Sequence, residues 1–308
     1  MKTDYFQDLT EQTEIGVWNV FGTTPSEIKK NIEAIKEWLK TQPHLPGQLA
    51  DEQIRAFLMM GRGSVENAKP KIDMYFTMRS LFHDIFHESH PLSKRMQKVK
   101  DYIYLIPVPK LLPDYTRLVI VKLKEELKDP YSFDPGAAFC QVINMVDVRF
   151  FEDLCAGHTV IVDLKHCQLA HCSKVTPSII RSCYTVCEKA LTTSVNGIHI
   201  INAPRFFDQV IIMIKSILSP KLAKKIHLHK DYESVLDSID KNILPMDYGG
   251  NEKCLDELED LFSKRYEIHK DYFDRRETLR VNEEVRPTKN VNDEILGFYG
   301  NFKKLDVD

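Results

Sequence analysis

Residues 196–218 read NGIHIINAPRFFDQVIIMIKSIL. The run Ile198-His199-Ile200-Ile201 is short and β-branched, and Pro204 follows it. Phe206 to Leu218 then places apolar residues around nearly the whole circumference of a helix. Such a helix persists in water only if both faces are covered, so a strand feeding a covered helix is predicted here. Two readings of that helix stay open: a core helix of a sheet-and-helix sandwich, or a lid with one face on an apolar ligand and the other able to meet lipid. The same alternation extends outward. Leu118-Val119-Ile120-Val121, Thr159-Val160-Ile161-Val162 and Ile226-His227-Leu228 are further β-branched runs, and helical stretches near 135–155, 176–192 and 204–218 lie between the four. The order β-α-β-α-β-α-β predicts an α/β fold with a mainly parallel sheet and crossover helices.

Before the first strand the period is helical. Ser26 is a candidate cap for a helix carrying Ile28, Ile32, Ile35 and Leu39, stopped by Pro43 and Pro46. Asp51 opens a short helix with Ile54, Phe57 and Leu58 on one side. Gly61-Arg62-Gly63 turns the chain into another beginning near Ser64, which Pro70 either kinks or restarts. After Gly249-Gly250 a charged helix is expected from Lys253 to about Arg280. A polar tail follows, with Phe298, Tyr299 and Phe302 expected to pack over the main domain. The organisation predicted is an N-terminal segment (1–23), a helical subdomain (24–90), an α/β domain (91–250) and a C-terminal helix and tail (251–308).

Composition excludes several classes. With 43% hydrophobic, 10% aromatic and 28% charged residues in 308, the chain can bury a large core. A net charge of −3 offers no basic excess for nucleic acid, so nucleic acid is not an expected partner. The first ten residues, MKTDYFQDLT, hold no apolar run. Neither a secretory signal nor a membrane anchor is therefore expected there, and a cytoplasmic address is. Seven cysteines without a C-x-x-C pair read as reduced thiols.

The chemistry-bearing motifs are weak. Gly61-Arg62-Gly63 joins two helices and lacks a third glycine, with Glu66 at that position, so it is not a dinucleotide fingerprint. No phosphate loop and no G-x-S-x-G occurs. His166-Cys167 and His171-Cys172 are zinc-type residues, but they come from a single loop with no second pair following. Cys183 and Cys187 share a helix face and read as core. His227 and His229 alternate with Leu228 and point away from it. No catalytic residue, metal or cofactor is expected. Lys221, Lys224 and Lys225 follow the apolar helix and suit an anionic bilayer, each worth roughly 1 kcal/mol near its surface.

An ordered set of segments resembles the CRAL-TRIO domain family, in its α-tocopherol-transfer-protein-like group. Ile54-Arg55-Ala56-Phe57-Leu58 with Ser64-Val65-Glu66-Asn67-Ala68-Lys69 is similar to the family's LxxFLRARxFxxEKAK region. Further on, Gly157 to Asp163, Thr176-Pro177, Asn196 to Pro204 with Phe207, Met213-Ile214-Lys215, Lys225 to His229 and Leu244 to Gly250 match in order. The resemblance implies a helical subdomain and an α/β domain whose sheet floors an apolar cavity, closed by a mobile gate helix over Phe206–Leu218. It implies binding and inter-membrane transfer of one hydrophobic molecule: a tocopherol, retinoid, other isoprenoid or phospholipid. The alternative is a lipid-sensing regulatory or protein-interaction module without net transfer. The expected cavity wall is Val142, Met145, Ile161, Val186, Val195, Ile198, Ile200, Phe207, Val210, Met213 and Ile214. Transient contact with a membrane surface, or with a phosphoinositide, is expected through Lys215, Lys221, Lys224 and Lys225, and the chain is expected to be a monomer. In tocopherol-transfer-like members a basic cleft receives a phosphoinositide headgroup, and Lys221 and Lys225 match two of its positions. Met59, however, stands where FLRAR has its first arginine, and Ser194 and Asn196 replace basic residues before Gly197. A headgroup with several phosphates needs several converging cations, so that contact is expected to be weaker here.

Overall fold

All four predicted runs are strands in the computed structural model, which describes residues 5–7, 9–47, 49–125, 130–191, 194–230 and 232–287. They are β2 (Thr116–Leu123), β3 (Gly157–Asp163), β4 (Val195–Ile201) and β5 (Ile226–Leu228), preceded by β1 (Ile103–Leu111). The sheet order is β1-β2-β3-β4-β5, with β1 antiparallel to β2 and the rest parallel. β1 escapes the sequence pattern because Pro107 and Pro109 interrupt it. Proline has no N–H to give a ladder, so such a strand is tolerated at an edge, and β1 is the edge. Its free side is covered: Tyr5 donates its hydroxyl to the Pro107 carbonyl at 2.8 Å, and the Gln7 N–H reaches the Pro109 carbonyl at 3.0 Å. The N-terminal stretch that reads as polar thus buries Tyr5 and Phe6 in the core.

The helices before the sheet are α1 (Glu11–Val20), α2 (Pro25–Lys40), α3 (Asp51–Met60), α4 (Val65–Leu81), α5 (His83–Phe86) and α6 (Lys94–Val99). Helix α2 starts from Thr24 and not Ser26. The Thr24 hydroxyl accepts from the Glu27 N–H, and the Glu27 carboxylate takes the Thr24 N–H at 2.9 Å. This reciprocal box, with Pro25 as the first helical residue, satisfies two donors that Ser26 would leave open. Helix α4 runs through Pro70 without restarting. Gly63 takes φ 82° in the turn before it, which glycine adopts without strain.

Within the α/β part lie α7 (Pro135–Glu152), α8 (Leu169–Lys174), α9 (Pro177–Ala190), α10 (Phe207–Ile217), α11 (Pro220–Ala223) and α12 (Glu233–Asp237). Strands β2 to β5 follow one another in one direction, and parallel crossovers are right-handed. Helices α7, α9 and α10 therefore share one face of the sheet. The predicted C-terminal helix is two, α13 (Leu255–Ile268) and α14 (Lys270–Thr278). The break falls at His269, whose ring turns inward to the Glu152 carboxylate at 2.6 Å, beside Arg265 on the same carboxylate. Phe298, Tyr299 and Phe302 lie outside the described residues.

Three apolar clusters result. One joins α1–α6 to α7 and α9, and a second lies among β1–β4, α7, residues 236–244 and α13–α14. The third is small: Leu164, Ile200, Phe207, Ile211 and Ile226.

Candidate functional site

Helix α10 is launched by a tight exit from β4. Asn202 takes φ 53° and donates its side-chain amide to the Asp163 carboxylate at 2.8 Å, and the Phe207 N–H then closes on the Pro204 carbonyl. Asn tolerates this left-handed conformation better than a branched residue would. Phe207 and Ile211, four apart, form the buried face of α10 against Ile200 of β4 and Ile226 of β5. Val210 and Ile214 flank that contact, whereas Ile212 is 68% exposed on the outside. The helix is thus covered on one side only, at odds with a core helix hidden all round.

The C-terminal end of α10 is tied by two polar contacts, one to β5 and one to α9. Lys215 donates to the Ile226 carbonyl at 2.9 Å. The Ser219 N–H, just beyond α10, donates to the Tyr184 hydroxyl of α9 at 3.2 Å, and that hydroxyl donates to Glu188 at 2.7 Å. Tyr184→Phe removes the acceptor. The loss of about 1 kcal/mol from such a bond is expected to speed amide exchange near Ser219 about fivefold. Exchange mass spectrometry checks this, and an unchanged rate refutes the tie.

The register fixes what α10 faces. Val160 pairs with Ile198 and Ile198 with Ile226; Val162 pairs with Ile200 and Ile200 with Leu228. Side chains level across a sheet share a face, so these make one apolar floor, with Val162, Ile198, Ile200, Ile226 and Leu228 at the α10 cluster and Val160 beside it toward the second cluster. Central parallel strands are ordinarily buried on both faces. Val160, Val162 and Ile198 are nevertheless only half-buried. Two helix stripes are half-buried as well: Phe139, Val142 and Val146 on α7, and Ile180, Cys183, Tyr184 and Cys187 on α9. Their spacings of three and four residues put each stripe on one helix side, and both helices lie on the α10 face of the sheet.

The expected wall residues divide accordingly. Val142, Ile198, Val210, Met213 and Ile214 are half-buried, and Ile200 and Phe207 are buried on the same face. Ile161 is not on it. Its partner in register is His199, and together they point to the opposite face, where Ile161 is fully buried in the second cluster. Val195 pairs with His158 across a bulge at Asn196, so it stands on the same face as Val160 and Val162, at the end of the floor, and is half-buried. Met145 is buried in the second cluster, and Val186 is buried among the N-terminal helices. The sequence reading missed Val160, Val162, the α9 stripe and, Val142 apart, the α7 stripe. The α7 stripe was visible in its spacing, but the wetter side of a helix is not.

The four lysines separate too. Lys215 is pinned as described, and the Lys225 ammonium donates to the Val195 carbonyl, whereas Lys221 and Lys224 are exposed. Met59 and Ser194 line a cleft of about 50 Å³ with Met60, Val146, Arg149 and His158. Arg149 is committed to Asp153 and His158. Burial alone would raise the Asp153 carboxyl, but the Arg117 and Arg149 guanidiniums outweigh it and hold that carboxyl well below its usual range. Asn196 donates to Asp114 at 2.8 Å. On the other face of the sheet, His199 and His229 lie ring to ring with a 3.0 Å Nδ1–Nε2 contact, and His227 stacks on His199.

Residues 24–96 match the Pinta-like UBA domain, and residues 113–250 match the CRAL/TRIO domain. The chain is similar to the α-tocopherol transfer protein-like protein of Mus musculus, with 21% identity over 254 residues, 82% of this chain and 74% of that protein. Clavesin-2 of Rattus norvegicus is 30% identical over 95 residues, covering 30% of this chain and 29% of its own length. The crystal structure of Sfh5 superposes with a TM-score of 0.47 at 12% identity, covering 89% of this chain and 100% of that one.

Proposed function

Since the chain carries a CRAL/TRIO domain and belongs to the CRAL-TRIO family, we propose that it binds one lipophilic molecule between the sheet and α10 and transfers it between membranes. The observation that carries this reading is the half-buried apolar floor of Val160, Val162 and Ile198 in strands that neighbours flank on both sides. An apolar surface of this kind costs free energy unless an apolar molecule covers it. Tocopherols, retinoids, other isoprenoids and phospholipids all fit its chemistry.

The physics favours a carrier for such ligands. A molecule with about twenty apolar carbons loses roughly 16 kcal/mol on leaving an oily site for water, at about 0.8 kcal/mol per methylene. Release directly into a bilayer avoids that step. Helix α10 suits a gate: it is held by one small apolar cluster and the two polar ties at Lys215 and Tyr184, so its two positions need differ by only a few kcal/mol. Ile212 on its outer face, with Lys221 and Lys224 just beyond, supplies a local contact for an anionic surface. Among the described residues no helix is long and apolar enough to cross a membrane.

Transfer of a fluorescent tocopherol between donor and acceptor liposomes tests the reading. The chain is expected to accelerate it, and Lys221→Glu with Lys224→Glu is expected to slow delivery to anionic acceptors about tenfold, with little change for neutral ones. Tight retention of extracted lipid with no acceleration for any extracted class would favour a lipid-sensing module instead.

A further inference from the structure

Cys167, in the loop after β3, and Cys172, in α8, bring their sulfurs to 3.8 Å of each other. Both are half-buried, and both pack against the cluster of Leu164, Ile200, Phe207, Ile211 and Ile226 that seats α10. A hydrogen bond from the Cys167 thiol stabilises the Cys172 thiolate, lowering Cys172 and raising Cys167. Other thiols differ: burial pushes Cys140 and Cys155 up to about 11. A thiol whose ionisation is favoured by a second thiol in contact with it is the arrangement of an attacking and a resolving cysteine. Among the described residues no three His, Cys, Asp or Glu side chains converge to hold a metal. Two thiols without further ligands suit a disulfide better than a tetrahedral zinc site.

We propose that Cys167 and Cys172 form a reversible dithiol site, oxidised by a peroxide, whose disulfide loosens the seat of α10. The Cys172 thiolate attacks one peroxide oxygen; an S–O bond forms, the O–O bond breaks and the leaving oxygen departs as water after protonation. The Cys167 sulfur then attacks the sulfenic sulfur; the S–S bond forms, the S–O bond breaks and a second water leaves. Two thiols and one hydrogen peroxide give one disulfide and two waters, the two sulfurs losing the two electrons that the peroxide gains. A thiol reductant reverses the bond by exchange. Closing the sulfurs from 3.8 Å to about 2.05 Å draws both side chains inward beneath the cluster. A packed cluster does not stretch to follow, so contacts with α10 are lost. This site stands independently of whether a lipid occupies the floor.

Tryptic cleavage after Lys165 and Lys174 gives HCQLAHCSK, residues 166–174, which holds both cysteines and no other. After the full chain is treated with hydrogen peroxide, then denatured and alkylated, this peptide is expected unalkylated and about 2 Da lighter, and doubly alkylated after dithiothreitol. In the oxidised chain, amide exchange over 207–217 is expected to quicken about threefold, with 255–268 unchanged. Cys172→Ser is expected to abolish the peroxide effect on 207–217. A peptide that stays doubly alkylatable, or that advances to sulfinic acid, overturns the dithiol site. A disulfide that leaves 207–217 unchanged, or a peroxide effect that persists in Cys172→Ser, overturns the coupling to α10.

Discussion

Replacing Arg276 by alanine is expected to lower the free energy of unfolding by about 3–5 kcal/mol. Arg276 is 1% exposed, and its guanidinium holds together three parts of the chain. It donates to the Asp147 carboxylate and to the Asn144 side-chain oxygen (2.8 Å) on α7, to the Ser89 carbonyl (3.2 Å), and to Glu277 next to it on α14 (3.1 Å). Asp147 also takes the Tyr75 hydroxyl of α4 at 2.7 Å, and Tyr75 meets the Tyr272 hydroxyl at 2.9 Å. Truncation would leave the Asp147 carboxylate fully buried without the guanidinium paired to it, which is why breaking such a pair costs far more than the pair contributes. Urea unfolding monitored by circular dichroism measures the change. Lys270→Ala, which removes an exposed, solvent-screened ion pair with Asp274 on the same helix, is the control and is expected to leave the urea midpoint unchanged. A loss below about 1 kcal/mol for Arg276→Ala would show that the cluster does not lock α14 onto α7.

This network also shows where sequence reading stops. The four β-branched runs and their intervening helices were legible because parallel strands and crossover helices each leave a local pattern. Strand β1 was not, because its prolines argue against a strand until Tyr5 and Arg117 are seen filling its hydrogen bonds; the Arg117 guanidinium reaches the Val108 and Pro109 carbonyls at 2.9 and 2.6 Å. The break between α13 and α14 is set by a partner 117 residues away, Glu152, and no local signal marks it. The lysines illustrate the same limit. Lys215 and Lys225 are expected at a membrane surface, yet they turn back to carbonyls at the β4–β5 edge, where the three residues of β5 leave acceptors open. Faces of the central strands were the hardest to read. In a strand buried on both sides nearly every residue is apolar, so Val160, Ile161 and Val162 look alike until the pairing of Ile161 with His199 separates them.

That separation gives the sharpest test of the site. Val210→Asp is expected to reduce retention of a copurifying lipophile at least tenfold, because a carboxylate beside the floor meets no donor to offset its lost hydration. Val210 is half-buried at the flank of the α10 contact, so its substitution leaves the main core intact and the urea midpoint is expected to move little. Ile161→Ala reverses the pattern. Its side chain is fully buried on the opposite face, with Ile120 beside it in register, and truncation is expected to cost about 2–4 kcal/mol of stability through the cavity it leaves. Lipid bound per folded molecule should then match the wild type. Extraction and quantitation of lipid from equal amounts of folded protein, alongside urea unfolding, reads both quantities. A Val210→Asp chain that keeps its lipid, or an Ile161→Ala chain that loses it while still folded, would place the ligand on the wrong face of the sheet. With neither result, the lipid lies between the floor of Val160, Val162 and Ile198 and the inner side of α10. The parity of two adjacent residues in β3 then decides which side chains meet the ligand and which only hold the sheet.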